Sequence, residues 1–296
     1  MIKNIIAGSK NPAFLPIKVV YYYLFNKYYE INALIEKTQV NADKSLYIVL
    51  KNGIKLIYKP YTQDAEINFT ERFKFGNKSK MDKIIDVKKY YFIYDLIHEI
   101  YVKNEYFKFF DIKENDNVLD AGANIGLFTV LAGKKLNNTG KLIAVEPDDN
   151  NYDMLLENIK INNLSNVETY KKGLWSKETN LEFLIGKRPG EHSLLDNDQF
   201  SGDKIVIECV SIDSLLETFQ LSHFDFIKMD IEGAEIEVVL NSKSIIKDKR
   251  TKWVIEALHL VDGSPAFKKI VPFMKDNEFQ ILADVDNYRG TIYATK

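Results

Sequence analysis

From residue 115 onward, short apolar runs alternate with segments of helical periodicity, and this alternation constrains the fold more than any other feature. Strands that alternate with helices form parallel sheets, because each helix returns the chain to the same edge. We therefore predict an α/β fold with a doubly wound, mostly parallel sheet of seven strands, which ends in a strand pair. The predicted strands span 117–121, 141–146, 167–171, 224–230, 253–257, 279–283 and 290–295, with an additional β-rich pair at 180–185 and 204–210. The predicted helices span 126–136, 148–161, 233–241 and 265–276.

The front of the chain follows a different pattern, which divides it into an N-terminal α+β extension, 1–90, and a main domain, 91–296. Within the extension, β-rich runs on either side of Asn52-Gly53 predict a hairpin with a tight turn. A tyrosine-rich run at 17–29 is helix-like, and helical periodicity returns at 87–110. The extension does not share the strand–helix alternation of the main domain.

Charge is unevenly distributed along the chain. Residues 1–60 hold nine Lys against three acids, a balance of +6, whereas the other 236 residues carry 31 basic and 39 acidic side chains, a balance of −8. Such asymmetry indicates that the front segment has a contact of its own. Three contacts fit its basic, aromatic character: a cover over the sheet or its ligand pocket, a homodimer interface, or a peripheral contact of residues 1–37 with an anionic membrane.

Composition excludes several classes of protein. The chain has 296 residues, 46% of them hydrophobic, with 40 basic and 42 acidic side chains, so it is a folded protein whose net charge of −2 makes nucleic acid an unlikely partner. Cys209 is the single cysteine, which rules out an internal disulfide and a Cys-rich zinc site. No apolar stretch approaches the roughly 20 residues that span a bilayer. No signal-peptide pattern opens the chain, and we expect a cytoplasmic protein.

A glycine-containing turn follows the first strand of the main domain. The sequence Asp120-Ala-Gly-Ala-Asn-Ile-Gly126 runs straight into a helix, whose N-terminal N–H groups attract an anion. About 20 residues later the second strand ends at Glu146, where an acid accepts both hydroxyls of a ribose. Together these features predict an adenosine-type cofactor. The predicted contacts of this turn and the following acid are Asp120, Gly122, Asn124, Gly126, Phe128 and Glu146.

The spacing of the glycines distinguishes between cofactors. Dinucleotide-binding turns read G-x-G-x-x-G, whereas Gly122 and Gly126 are separated by three residues. A carboxylate at Asp120 would repel a pyrophosphate but attract the ammonium group of S-adenosylmethionine (SAM), directly or through water. We therefore predict SAM. Trp175, which follows the third strand, either stacks on the adenine or belongs to the core.

Acidic side chains and one histidine follow the fourth and fifth strands. Asp230 and Glu232 come at the carboxyl end of the fourth strand, where open α/β sheets bind their ligands, and Asp230 is expected to face the cofactor or the substrate. His259 follows the fifth strand and is the candidate general base for a hydroxyl; the alternative is a histidine that only hydrogen-bonds within its loop. No histidine joins the acids at helical metal spacing, so we predict no metal.

Three segments resemble the FkbM-type methyltransferases, class I SAM-dependent enzymes with a Rossmann-like fold. They are residues 118–129, Glu146-Pro147 with residues 155–158, and Ser211-Ile-Asp213 with residues 224–235. The most specific is Lys228-Met-Asp-Ile-Glu-Gly-Ala-Glu235. The resemblance covers about residues 115–260 and implies O-methylation of hydroxyls on macrolides, sugars or lipid-linked glycans.

The resulting functional hypothesis is a SAM-dependent O-methyltransferase that acts on a hydroxyl of a sugar, glycan or glycolipid. Its catalytic residues would be His259, Asp230 and Glu232, and Asp230 would also contact the cofactor. One alternative is an RNA ribose methyltransferase, which the negative balance of the main domain disfavours. The other is a non-catalytic SAM-fold adaptor at a membrane surface.

Overall fold

The structure is a computed structural model that describes residues 27, 29–60, 90–184, 204–283, 285 and 290–296. Most of the predicted helix at 17–29 lies outside the described residues, and so does most of the segment predicted to touch a membrane. Residues 29–34 are helical and lead directly into the first strand. Among the described residues, no helix combines the length and the apolar character needed to cross a bilayer.

Besides the helical residues 29–34, the described residues form fifteen strands and six α-helices. In chain order the strands are β1 (Ile35–Val40), β2 (Leu46–Leu50), β3 (Lys55–Tyr58), β4 (Asn117–Ala121), β5 (Lys141–Val145), β6 (Val167–Tyr170), β7 (Gly173–Leu174), β8 (Thr179–Leu184), β9 (Lys204–Val210), β10 (Phe226–Met229), β11 (Lys252–Glu256), β12 (Leu260–Val261), β13 (Ser264–Pro265), β14 (Gln280–Ile281) and β15 (Thr291–Thr295). The helices are α1 (Tyr91–Ile97), α2 (Leu127–Lys135), α3 (Asp149–Ile161), α4 (Ile212–Thr218), α5 (Glu235–Asn241) and α6 (Phe267–Asp276).

The central sheet has seven strands in the order β14-β15-β11-β10-β4-β5-β6. Strands β6, β5, β4, β10 and β11 are mutually parallel, and β15 is antiparallel to both of its neighbours. This arrangement confirms the predicted α/β class and the doubly wound, mostly parallel sheet of seven strands. The chain order reverses between β4 and β10, and ligands of open α/β sheets bind beside such a reversal.

Both faces of the central sheet are buried. Successive residues of β4 point to opposite faces, so Val118 enters one hydrophobic cluster and Leu119 the other. All four residues of β10 are buried, as expected for a parallel strand covered by helices on both sides. The core therefore fixes the carboxyl edge of β4, β5, β10 and β11, from which the candidate site projects.

The described part of the extension forms an antiparallel sheet, β1-β2-β3, and the Asn52-Gly53 turn joins β2 to β3 as predicted. Ile48 and Tyr58 of this sheet share one hydrophobic cluster with Phe128 and Leu155 of the main domain. The small sheet is consequently part of the main core.

The segment predicted to be helical at 87–110 is less regular than its periodicity indicates. Helix α1 continues into a π-helical turn, His98–Val102, and a separate 3-10 turn covers Glu105–Phe107. Asn104 separates them in the left-handed conformation, with φ 54°. The sequence pattern also misses β1, β7 and α4, because short elements carry too few residues for a clear period.

Candidate active site

The turn between β4 and α2 contains three residues in the left-handed region: Gly122 with φ 75°, Asn124 with φ 50° and Gly126 with φ 88°. A Cβ atom at Gly122 would lie 1.8 Å from the backbone oxygen of Asp230, and one at Gly126 would lie 2.7 Å from Leu155. The glycines therefore accommodate neighbouring parts of the protein. Of the two, Gly122 also lines the pocket described below.

Glu146 supports this turn from the end of β5. Its carboxylate accepts hydrogen bonds from the backbone N–H of Asn124 at 2.8 Å and of Asp148 at 3.0 Å. Burial raises the pKa of Glu146 to about 7. The oxygen that accepts from Asp148 also accepts from the Asn151 side chain at 3.5 Å, whereas the other accepts only the Asn124 N–H among these contacts, so the group can hold the turn and still accept a hydroxyl from a ligand.

A pocket of about 830 Å³, partly open to solvent, lies above the carboxyl ends of β4, β5 and β10. Four predicted cofactor residues of the turn and strand end line it: Gly122, Asn124, Phe128 and Glu146. Asp230 and Glu232 complete its acidic side, as their positions after the fourth strand predict. Gly126 and Asp120 are not among its lining residues.

Asp120 lies beneath the turn and is fully buried. Its carboxylate accepts a hydrogen bond from the Thr129 hydroxyl at 2.5 Å and pairs with the Lys228 ammonium at 3.2 Å. Lys228 also donates to the backbone oxygen of Gly122 at 2.6 Å. Burial alone would lower the pKa of Lys228, but Asp120 and Asp230 raise it above its ordinary value. Asp120 therefore neutralises a lysine of the protein, and its contact with a bound ammonium, directly or through water, stays a prediction.

The aromatic side of the pocket is formed by residues other than Trp175. Trp175 packs with Cys209 in the small sheet formed by β7, β8 and β9 and is not among the pocket-lining residues, as its core interpretation expects. Phe183 of β8 and Leu174 of β7 line the pocket in its place. Phe128 is held by ring stacking, with centroids 5.5 Å from Phe107.

Asp230, Glu232 and His259 meet at the acidic side of the pocket. The His259 Nε2 atom lies 3.1 Å from a Glu232 oxygen and 3.8 Å from an Asp230 oxygen. One ligand atom from each residue falls within a span of 4.8 Å. The three predicted catalytic residues are therefore adjacent, although 27 positions separate Glu232 from His259 in the sequence.

Glu235 orients the imidazole ring of His259 in this cluster. It is fully buried, and it accepts hydrogen bonds from the backbone N–H of Ile231 and of Gly233, both at 2.9 Å. One of its oxygens lies 3.1 Å from His259 Nδ1. Because Nδ1 is held there, Nε2 faces Asp230 and Glu232.

The carboxylates also determine the charge of the imidazole. Burial alone would lower the pKa of His259, but Glu235, Glu232 and Asp230 raise it to about 12. A protonated imidazole has no free lone pair with which to accept a hydroxyl proton. The structure therefore does not support His259 as the general base in this state. Burial raises the pKa of Glu232 to about 7, a value suited to proton transfer.

Comparison with known protein families decides the identity of the chain. The model of the methyltransferase FkbM domain matches residues 120–281, which is more than half of the chain and includes the turn, Glu146 and the acidic cluster. The chain belongs to the FkbM methyltransferase family.

Two curated relatives are similar to this FkbM-family chain. One is methyltransferase sdnD from Sordaria araneosa, which is 29% identical over 159 residues, covering 44% of this chain and 61% of that protein. The other is the hexuronic acid methyltransferase AglP from Haloferax volcanii, 25% identical over 150 residues, covering 50% and 58%. The chain thus spans about three fifths of the length of these relatives.

Among solved structures, Aeropyrum pernix fibrillarin with natively bound S-adenosyl-L-methionine is 12% identical, with a TM-score of 0.41. The superposition covers 88% of this chain and 99% of fibrillarin. A likeness this loose says nothing about ligand or substrate.

The pocket residues of this FkbM-family chain that are not predicted as site residues include Lys228, Phe183 and Tyr106. Lys228 belongs to the most family-specific motif, yet a lysine within an apolar strand gives no indication of its partner. The Tyr106 hydroxyl lies 3.3 Å from Glu99 and 3.5 Å from Asp230, contacts that arise only when the 3-10 turn packs on the sheet. Such contacts carry no short-range sequence signal.

Proposed function

We propose that this protein is a SAM-dependent O-methyltransferase that methylates a hydroxyl of a sugar, glycan or glycolipid. The observation that carries the proposal is a single pocket that joins the glycine turn and Glu146 to the cluster of Asp230, Glu232 and His259. One end of this pocket has the features of an adenosine site, and the other presents carboxylates. Membership of the FkbM methyltransferase family supports the reaction type.

The charge of the pocket favours SAM over a dinucleotide. Glu146, Asp230 and Glu232 line it. Two lysines also line it, but Lys228 is paired with the buried Asp120 and Lys172 with Glu208. A pyrophosphate placed here would be repelled, whereas the sulfonium and ammonium groups of SAM would be attracted. Asp230 thereby takes the role for which the sequence favours Asp120.

The adenosine end has matching groups. Glu146 offers carboxylate oxygens at the end of β5 for the two ribose hydroxyls, while Phe183 and Leu174 offer apolar surface for the adenine. Tyr106 and Phe128 line the pocket beside the turn. Phe183 and Leu174 lie on strands, and the rings of Tyr106 and Phe128 pack together with centroids 5.4 Å apart. The site is therefore largely formed before a ligand arrives.

Bound SAM supplies a methyl group on a positively charged sulfur. The acceptor oxygen forms the new O–C bond, the sulfur keeps the electrons of the broken S–C bond, and the hydroxyl proton passes to a carboxylate of Asp230 or Glu232. The protein contributes chiefly by aligning the acceptor oxygen with the methyl carbon and the sulfur. A sugar hydroxyl suits this site, since carboxylates are strong acceptors for hydroxyl hydrogen bonds. AglP is a hexuronic acid methyltransferase, and this relative supports a sugar as the class of acceptor.

The test is transfer of a labelled methyl group from SAM to cell extracts fractionated into glycans, lipids and RNA. We expect label in the glycan or lipid fraction, in an alkali-stable methyl ether, and its loss with Asp230→Asn. Label confined to RNA would establish the ribose methyltransferase alternative. SAM binding without transfer to any fraction would favour the non-catalytic adaptor.

A further inference from the structure

The cluster of Asp230, Glu232 and His259 has the geometry of a metal site. Two carboxylate oxygens and one imidazole nitrogen lie within a span of 4.8 Å. The 3.1 Å from His259 Nε2 to Glu232 matches the separation of about 3 Å between neighbouring ligands around an octahedral cation with bonds of about 2.1 Å. The 3.8 Å from Nε2 to Asp230 is longer, so a bound cation would draw Asp230 toward the histidine.

The contact of Glu235 with the other ring nitrogen of His259 is a second and separate indication of a metal site. A metal-binding histidine almost always donates its other ring N–H to a carboxylate or carbonyl oxygen, which fixes the ring and its tautomer. Glu235 occupies this position at 3.1 Å from Nδ1. Glu235 is itself fully buried and fixed by two backbone N–H groups. The site therefore has three converging ligand atoms and a rigid support for the one nitrogen ligand.

Exposure of the cluster leaves room for further ligands. The side chains of His259, Glu232 and Asp230 are 24%, 28% and 31% exposed, so they are half-buried and open toward the pocket. Asp230 and Glu232 line the pocket, which places a bound ion at the boundary between the expected SAM site and the acceptor. A cation with six coordination positions would keep some of them for water or for an acceptor hydroxyl.

We propose that Asp230, Glu232 and His259 bind one divalent cation of the Mn²⁺ or Mg²⁺ type, which holds the acceptor hydroxyl. Carboxylate oxygens suit such hard cations, and the single imidazole makes Mn²⁺ the better probe. Binding displaces the proton from Nε2 to solvent, so His259 acts as a neutral ligand that Glu235 orients. This inference deepens the proposed function and rests on it for the identity of the hydroxyl. It replaces the prediction of a site without metal, which considered only histidines at helical spacing.

The test is calorimetric titration of Mn²⁺ into chelator-treated protein without SAM, repeated with Mg²⁺ as competitor. We expect one saturable site, strongly weakened in Asp230→Asn and in His259→Gln. Glu235→Gln should weaken Mn²⁺ by about 10–100-fold, as loss of an orienting partner does. The matched control is His223→Gln, since His223 also pairs with a carboxylate, Asp225 at 2.9 Å, away from the pocket. This variant should bind Mn²⁺ as the wild type does.

Absence of Mn²⁺ binding by the folded wild type, or equal binding by Asp230→Asn and the wild type, would overturn the metal site. Circular dichroism of each variant separates loss of ligand from loss of fold. A parallel SAM titration keeps the two proposals apart. SAM binding without Mn²⁺ binding would refute only the metal, and Mn²⁺ binding without SAM binding would refute only the proposed methyltransferase function.

Discussion

At the scale of single residues, the site depends on carboxylates whose surroundings assign them different roles. Asp120 is fully buried and neutralises Lys228, whereas Glu146 is buried among backbone N–H groups at the pocket wall. Glu235 is buried behind His259, and Asp230 remains half-exposed at the pocket. Residue type alone cannot distinguish these positions. Each role follows from what the neighbouring strand or turn places beside the carboxylate.

Replacement of Glu146 tests the ribose assignment. Glu146→Gln keeps the shape of the side chain but removes the charge that two ribose hydroxyls would meet. We expect SAM affinity to fall by about 1.5–3 kcal/mol, the usual value of hydrogen bonds to a charged group. Calorimetry measures the affinity, and Glu168→Gln, at an exposed position of β6, is the control. Unchanged SAM affinity in a folded Glu146→Gln protein would exclude Glu146 as the ribose ligand.

The same residue predicts a pH dependence. Burial raises the pKa of Glu146 to about 7, and ribose hydroxyls favour the ionised carboxylate. Below pH 7 the carboxyl group is protonated in the free protein, so SAM binding must first displace that proton. SAM affinity should therefore decrease as the pH falls from 8 to 6. The decrease should be smaller in Glu146→Gln, and parallel pH profiles for both proteins would contradict this prediction.

At the scale of elements, Asn158 of α3 and Asn162, the C-cap of this helix, bind the edge of β3. Asn158 exchanges hydrogen bonds with the backbone of Ile57 at 2.7 and 3.0 Å, and Asn162 does so with Lys55 at 3.0 and 2.6 Å. Four residues of a helix rise about 6 Å, and two residues of a strand about 6.6 Å, so the spacings match. Asn158 additionally donates to the backbone oxygen of Ile125 at 2.8 Å, which connects β3 to the turn beside the pocket.

This difference between the two asparagines gives a matched pair of variants. Each replacement by Ala leaves backbone groups of β3 without a partner and should destabilise the protein by about 1–3 kcal/mol. Only Asn158→Ala also releases Ile125, so only this variant should bind SAM more weakly. Chemical denaturation measures stability and calorimetry measures SAM affinity. An equal loss of SAM affinity in Asn162→Ala would show that both variants weaken SAM binding by destabilising the fold, and not through the hydrogen bond between Asn158 and Ile125.

At the scale of the whole molecule, sequence periodicity predicts the main domain well and the site only in part. Buried parallel strands such as β4 and β10 have continuous apolar sequences, and their order follows from alternation with helices. The pairing of Asp120 with Lys228 and the packing of Trp175 with Cys209 could not be predicted, because both depend on which face of an element turns inward. The approach of His259 to Glu232 joins two strand ends that are distant in sequence, and no local pattern encodes it. Likewise, the Asn158 contact with β3 appears only when extension and main domain share a core.

The measurement that tests the account most directly is a calorimetric titration of SAM into the intact protein, beside the same titration with NAD. We expect one SAM site per chain, no comparable affinity for NAD, and a strong loss of SAM binding in Asp230→Asn, because the acidic pocket attracts the cationic end of SAM and repels a pyrophosphate. Tight binding of NAD, or no binding of SAM by the folded wild-type protein, would contradict the assignment of this pocket.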